Sequence, residues 1–195
     1  MMVSFTDSSF SKNNASYGGA LDAGVDCTIE NSNFTDNYAK GYGGAIYYDG
    51  ANSVIEYCNF TSNVAELYDG GAIYYASNAA NPSIKYSSFS KNNASAQNGG
   101  AICFESGNAT VENSNFTDNY AEEFGGAIYW NGADGNLSNS RFENNLANPD
   151  DIYSAHGGAI YWSGENGSIK ESNFTSNAAG SMGGAISNPG GGLSI

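Results

Sequence analysis

Positive charge is what this chain has least of. Six Lys and Arg residues stand against 20 Asp and Glu, giving a net charge of −14. That balance excludes a nucleic-acid partner, because phosphate backbones are held by lysine and arginine. Cysteine is nearly as scarce: Cys27, Cys58 and Cys103 are odd in number and include no C-x-x-C spacing. Neither a disulfide framework nor a zinc site fits them, so they carry no compartment signal. Long apolar runs are missing too. Nothing approaches the roughly 18 residues of a membrane span, so the segment is not expected to cross a membrane. The opening MMVSFTDSSF has neither the basic start nor the apolar core of a secretory leader. Leu, Ile, Val and Phe make up only about 16% of the chain, which with this charge would suit a disordered segment. Fourteen tyrosines and two tryptophans add apolar surface, however, and the apolar residues fall in strict register.

That register is an internal repeat. NSNFTDNYA stands at 31–39 and again at 113–121, and FSKNNAS at 10–16 and 89–95. A phenylalanine recurs seven times, as Phe10, Phe34, Phe60, Phe89, Phe116, Phe142 and Phe174, at spacings of 24 to 32 residues. Five residues before it the chain is always apolar (Phe5, Ile29, Ile55, Ile84, Val111, Leu137, Ile169), and two before it always small, such as Ser32 or Cys58. Three residues after it there is always asparagine, and five after it always alanine. A further stretch, YGGAIYY at 42–48, returns as DGGAIYY, NGGAICF, FGGAIYW and HGGAIYW.

Offsets of two mark residues on one face of a strand, and the odd offsets between columns mark corners. With no helical period anywhere, each repeat reads as one coil of three short strands, and the fold as an all-β, right-handed parallel β-helix of about seven coils. The whole of 1–195 is expected to be one such domain, a rod roughly 34 Å long at about 4.8 Å per coil. Asparagine suits a stacked column, since its amide donates to one neighbour and accepts from the other. The Gly-Gly pair fits either a corner of positive φ or a close approach of coils; a phosphate-cradling role would need a helix to follow it.

The alternating G-G-A-[I/L] and F-x-x-N signatures resemble the chlamydial-type polymorphic outer-membrane protein repeat. The Asn, Ser and Tyr-rich setting is similar to the adhesin-like surface proteins of methanogenic archaea, and both belong to the pectin-lyase-like β-helices. The resemblance covers nearly the whole chain. It implies a non-enzymatic, extracellular or envelope-attached passenger or stalk that adheres to glycans or to proteins of host or neighbouring cells. It also implies a signal sequence and an anchor that are not in this segment, so the chain reads as a fragment of a longer rod without its caps. Exposed coil edges would then permit end-to-end stacking.

Alternation places Tyr48, Tyr75, Phe104, Trp130 and Trp162 inward and their neighbours Tyr47, Tyr74, Cys103, Tyr129 and Tyr161 outward. The outward row of Tyr47, Tyr74, Tyr129 and Tyr161 is the candidate ligand-binding surface, able to stack on sugar rings, although such a row also stabilises a sheet by itself. A polysaccharide lyase or hydrolase is the alternative, and it needs clustered carboxylates. The long insertion NNLANPDDIYSAHGG alone gathers them, as Asp150 and Asp151 beside His156, the sole histidine. Asp after Pro is ordinarily a turn, and no catalytic residue is assigned. No D-x-D-x-D loop or G-G-x-G-x-D repeat points to calcium, and no cofactor or metal is expected. Glu30, Glu56 and Glu112 share a column with Lys85 and Lys170, the pattern of a solvated face. Nine N-x-[S/T] sequons begin at Asn14, Asn33, Asn59, Asn93, Asn108, Asn115, Asn136, Asn166 and Asn173.

Overall fold

In the computed structural model, which describes residues 2–195, the chain winds into stacked coils with no helix among those residues. Strands pair in parallel with their counterparts one coil before and one coil after, those at the ends of each sheet on one side only, so like residues meet. Phe60 lies between Phe34 and Phe89, and Ile73 between Ile46 and Ile102. The expected parallel β-helix is thus the observed architecture.

The number of strands per coil is corrected from three to four. One sheet of eight strands and three of seven run along the rod. In the third coil the four strands are Ser53–Glu56, Asn59–Thr61, Val64–Ala65 and Ile73–Tyr75. The apolar column has a strand to itself because a single left-handed residue cuts it from the Asn-Phe-Thr strand: Asn31 at φ 48°, Tyr57 at 56°, Tyr86 at 49° and Asn113 at 50°. A second such residue, Asp36, Ser62, Lys91 or Asp118, starts the two-residue strand that ends in alanine. One left-handed residue turns the chain sharply enough to move the next residues into a different sheet. Each odd offset is therefore a separate corner.

The two glycines of each coil do one job each. Gly43 sits at φ +64°, a conformation that side chains rarely adopt, and makes the corner into the fourth sheet. Gly44 is needed for space: a Cβ there would lie 2.0 Å from the Gly71 carbonyl oxygen of the next coil.

The core is a set of ladders. Rings of the phenylalanine column stack at 4.6–4.9 Å with interplanar angles of 2–8°. Tyr48, Tyr75, Phe104, Trp130 and Trp162 are buried in a second aromatic ladder, as alternation predicts. In the asparagine column Asn37, Asn63, Asn92, Asn119 and Asn145 are buried and bonded to their neighbours on both sides. Asn63 Oδ1 accepts the backbone N–H and the Nδ2 of Asn37 at 3.1 and 3.0 Å. Its own Nδ2 donates to the Phe34 carbonyl and to Asn92 Oδ1, both at 3.0 Å. A buried amide that makes four bonds cannot be replaced by a residue with only donors or only acceptors, which explains the invariance of the column within the chain.

Candidate functional site

The outer face of the fourth sheet is built from the middle residues of Ile46–Tyr48, Ile73–Tyr75, Ile102–Phe104, Ile128–Trp130 and Ile160–Trp162. Tyr47 and Tyr74 stack at 5.6 Å and 14°, and Tyr129 and Tyr161 at 5.5 Å and 6°. The predicted row is therefore real, but it is split by Cys103, which is wholly buried. Its tyrosines are also half-buried rather than open.

What covers them comes from the column just before each Gly-Gly pair, which runs Tyr17, Tyr42, Asp69, Asn98, Phe124, His156 and Met182. Of these Tyr17, Tyr42, Phe124 and His156 pack on the row. The left-handed glycine turns this column back over the sheet. Tyr42 lies 4.4 Å from Tyr74 and 4.6 Å from Tyr68, and Tyr17 lies 5.7 Å from Tyr47. In the second half Phe124 lies 4.6 Å from Tyr161 and 5.4 Å from His156. The result is two aromatic clusters rather than one continuous row. Sequence reasoning missed the covering column because its residue type changes from coil to coil and leaves no repeat signature.

The first cluster borders a cavity of about 230 Å³ lined by Ser16, Tyr17, Lys40, Gly41, Leu67 and Tyr68. Gly41 has a positional role here: a Cβ would stand 2.5 Å from the Tyr17 ring. Tyr17 remains 50% and Tyr68 38% exposed, so two ring surfaces and the Lys40 ammonium are open to a ligand. Apolar walls with a few polar groups are the usual composition of a small-ligand site.

Between the clusters lies an acidic saddle. Asp69 is 8% exposed, and its Oδ1 accepts the backbone N–H of Asn98 at 3.0 Å. Burial pushes its carboxyl up to about 6, and the charges of Glu105 and Glu123 add to the rise against the bonds from Asn98. Glu105 accepts a bond from Asn131 Nδ2 at 2.7 Å. Burial also raises the Tyr74 and Tyr129 hydroxyls and the Cys103 thiol well above their ordinary ranges. These groups stay protonated, so the phenols keep their donor hydrogens and the thiol is inert.

The alternative site of the long insertion folds as a turn. Asp151 Oδ1 accepts the N–H groups of Tyr153 and Ser154 at 3.0 and 3.1 Å, and its Oδ2 accepts the Ser154 hydroxyl. Those bonds lower its carboxyl below the usual range. Asp150 gives its N–H to Asn148 Oδ1 at 3.2 Å, and His156 belongs to the aromatic cover of the fourth sheet. Among the described residues, no group of three or more His, Cys, Asp or Glu side chains is placed to hold a metal ion. Among the same residues, no helix is long and apolar enough to cross a membrane. In the charged column, Lys85 Nζ pairs with Glu112 at 3.4 Å.

A family model described as a right handed beta helix region matches residues 2–147. No curated protein and no solved structure matches the chain.

Proposed function

Because the chain belongs to the right-handed β-helix family, whose frame supplies a rigid surface but dictates no chemistry, we propose that it is a non-enzymatic, adhesin-like stalk or passenger segment. It is displayed outside the cell, attached to the envelope, and contacts glycans or surface proteins through the outer face of the fourth sheet. One observation carries the reading: two aromatic clusters share one face, and the first borders a cavity with the exposed Tyr17, Tyr68 and Lys40. The motif resemblance to outer-membrane and archaeal surface repeats supports display on an envelope. Repetition along a rod suits weak contacts that add up.

A glycan array run beside a reducing-sugar release assay tests this. Binding without product release is expected, with at least a tenfold loss of binding in a Tyr17→Ser, Tyr68→Ser double variant whose unfolding midpoint is unchanged. Binding that survives the double variant removes this face as the contact surface.

Asp69 favours a second reading, a polysaccharide lyase or hydrolase. Burial raises its carboxyl to about 6, with the charge of Glu105 adding to the rise, and a carboxyl so raised is the kind that serves as a general acid. That reading predicts sugar release abolished by Asp69→Asn, whereas the adhesin reading predicts no release from the parent protein.

A further inference from the structure

Two of the left-handed corners between the first and second sheets are occupied by tyrosine. The column runs Asp7, Asn31, Tyr57, Tyr86, Asn113, Asn139 and Glu171, all at φ of 48–56°. Asn and Asp tolerate this conformation because their short side chains bond locally, whereas a bulky residue there is an outlier. Tyr57 and Tyr86 nonetheless hold it at φ 56° and 49°. The two residues are 53% and 47% exposed, so burial does not compensate for the strain.

The rings form a small platform. They are stacked, with centroids 5.0 Å apart and planes 6° from parallel. The strand registers place Asn31 beside Tyr57 on one side and Asn113 beside Tyr86 on the other. Asparagine is the shorter side chain, so each tyrosine stands as the wall of a step with an amide at its floor. Each wall offers an apolar ring face, and each floor one donor and one acceptor, the combination that fits the C–H face and hydroxyls of a sugar ring. The charges nearby select among sugars. Glu30 and Glu56 precede Asn31 and Tyr57, Lys85 before Tyr86 is paired with Glu112, and the chain carries −14 overall. An anionic sugar is repelled here and a neutral one is not.

We propose that Tyr57 and Tyr86, with Asn31 and Asn113, form a second binding site, specific for neutral hexose glycans. The site lies on a corner of the rod and does not depend on the fourth-sheet reading.

The test uses the tolerance of the column for asparagine. A Tyr57→Asn, Tyr86→Asn double variant matches residues already present in this column, so its unfolding midpoint should stand at or above that of the parent. Cellohexaose, mannohexaose and an oligogalacturonate of equal length are titrated calorimetrically into the parent, this variant and the Tyr17→Ser, Tyr68→Ser variant. The proposal expects a neutral hexaose to bind the parent and the Tyr17, Tyr68 variant alike, and to bind the Tyr57, Tyr86 variant at least tenfold more weakly. Unchanged affinity in the Tyr57, Tyr86 variant overturns it. So does absence of neutral-hexaose binding to the parent, or a preference for the galacturonate. Loss only in the Tyr17, Tyr68 variant also overturns it, and leaves the fourth-sheet reading standing.

Discussion

Asp69 Oδ1 accepts the backbone N–H of Asn98 at 3.0 Å, and one coil later Asn98 Oδ1 accepts the N–H of Phe124 at 3.1 Å. A neutral amide thus does in one coil what a buried carboxylate does in the coil before. The fold has no need of the negative charge at position 69.

Stability should report that surplus charge. The carboxyl titrates near 3.8 in the unfolded chain and near 6 in the folded one. Its folded form holds the proton more tightly, so its contribution is most favourable below pH 4 and is lost as pH rises from 4 to 6. The full difference amounts to about 3 kcal/mol. Asp69→Asn is therefore expected to match the parent near pH 4 and to exceed it by about 1–3 kcal/mol at pH 7. Urea unfolding of both proteins across that range measures the difference, and parallel curves would show that the carboxylate is stabilised by contacts beyond these.

Phe116 stacks on Phe89 at 4.9 Å and on Phe142 at 4.6 Å, with no exposed surface. Phe116→Ala leaves a cavity between two rigid rings that cannot close on it, and a loss of about 3–5 kcal/mol is expected. Tyr153, 85% exposed in the long insertion, gives the contrast: its replacement by alanine should change stability by less than about 0.5 kcal/mol. Thermal melts of the pair check both.

Asn63→Ala removes a side chain that makes four buried bonds, to Asn37, Phe34 and Asn92. Several partner groups are orphaned at once, and a cost of about 3 kcal/mol or more is expected. Hydrogen exchange at the Asn37 amide should quicken sharply in this variant; an unchanged rate would mean that water takes the place of the lost acceptor.

Cys58 occupies a column of serines. Ser32, Ser87, Ser114, Ser140 and Ser172 each accept, through Oγ, a backbone N–H from the preceding coil. The Cys58 sulfur faces the same position with a weaker acceptor and donates to the Glu56 carbonyl at 3.2 Å. Cys58→Ser is expected to hold or raise stability by about 0.5 kcal/mol. A denaturant midpoint clearly below the parent would show that sulfur volume, rather than bonding, decides this site.

Columns of constant type were legible from the residues alone. Phe60, Asn63, Ala65 and Ile73 each announced a position inside the rod, because one coil presents to the next what it presents to the one after. Alternation correctly sent Trp130 inward and Tyr129 outward. Three things were hidden. The fourth strand, the one that carries Ile55, was masked because it contributes only one constant column to the repeat, and a single column has no period of its own. The cover over Tyr47 and Tyr74 was masked because Tyr42, Asp69 and Asn98 share a place but not a chemistry. The corner tyrosines, Tyr57 and Tyr86, were masked because backbone preference argues against their conformation. The candidate binding surfaces lie in the variable columns, where repetition gives no help.

The asparagine ladder has one more consequence. From Asn37 to Asn177 every side-chain oxygen of the column faces the coil before it and receives the backbone N–H and the Nδ2 of its neighbour there. The column is thus a line of dipoles all pointing one way, and the rod has a head and a tail. Any coil added to it, from its own chain or from another copy, continues the line in one sense only. Turned end for end, it would set donor against donor or acceptor against acceptor.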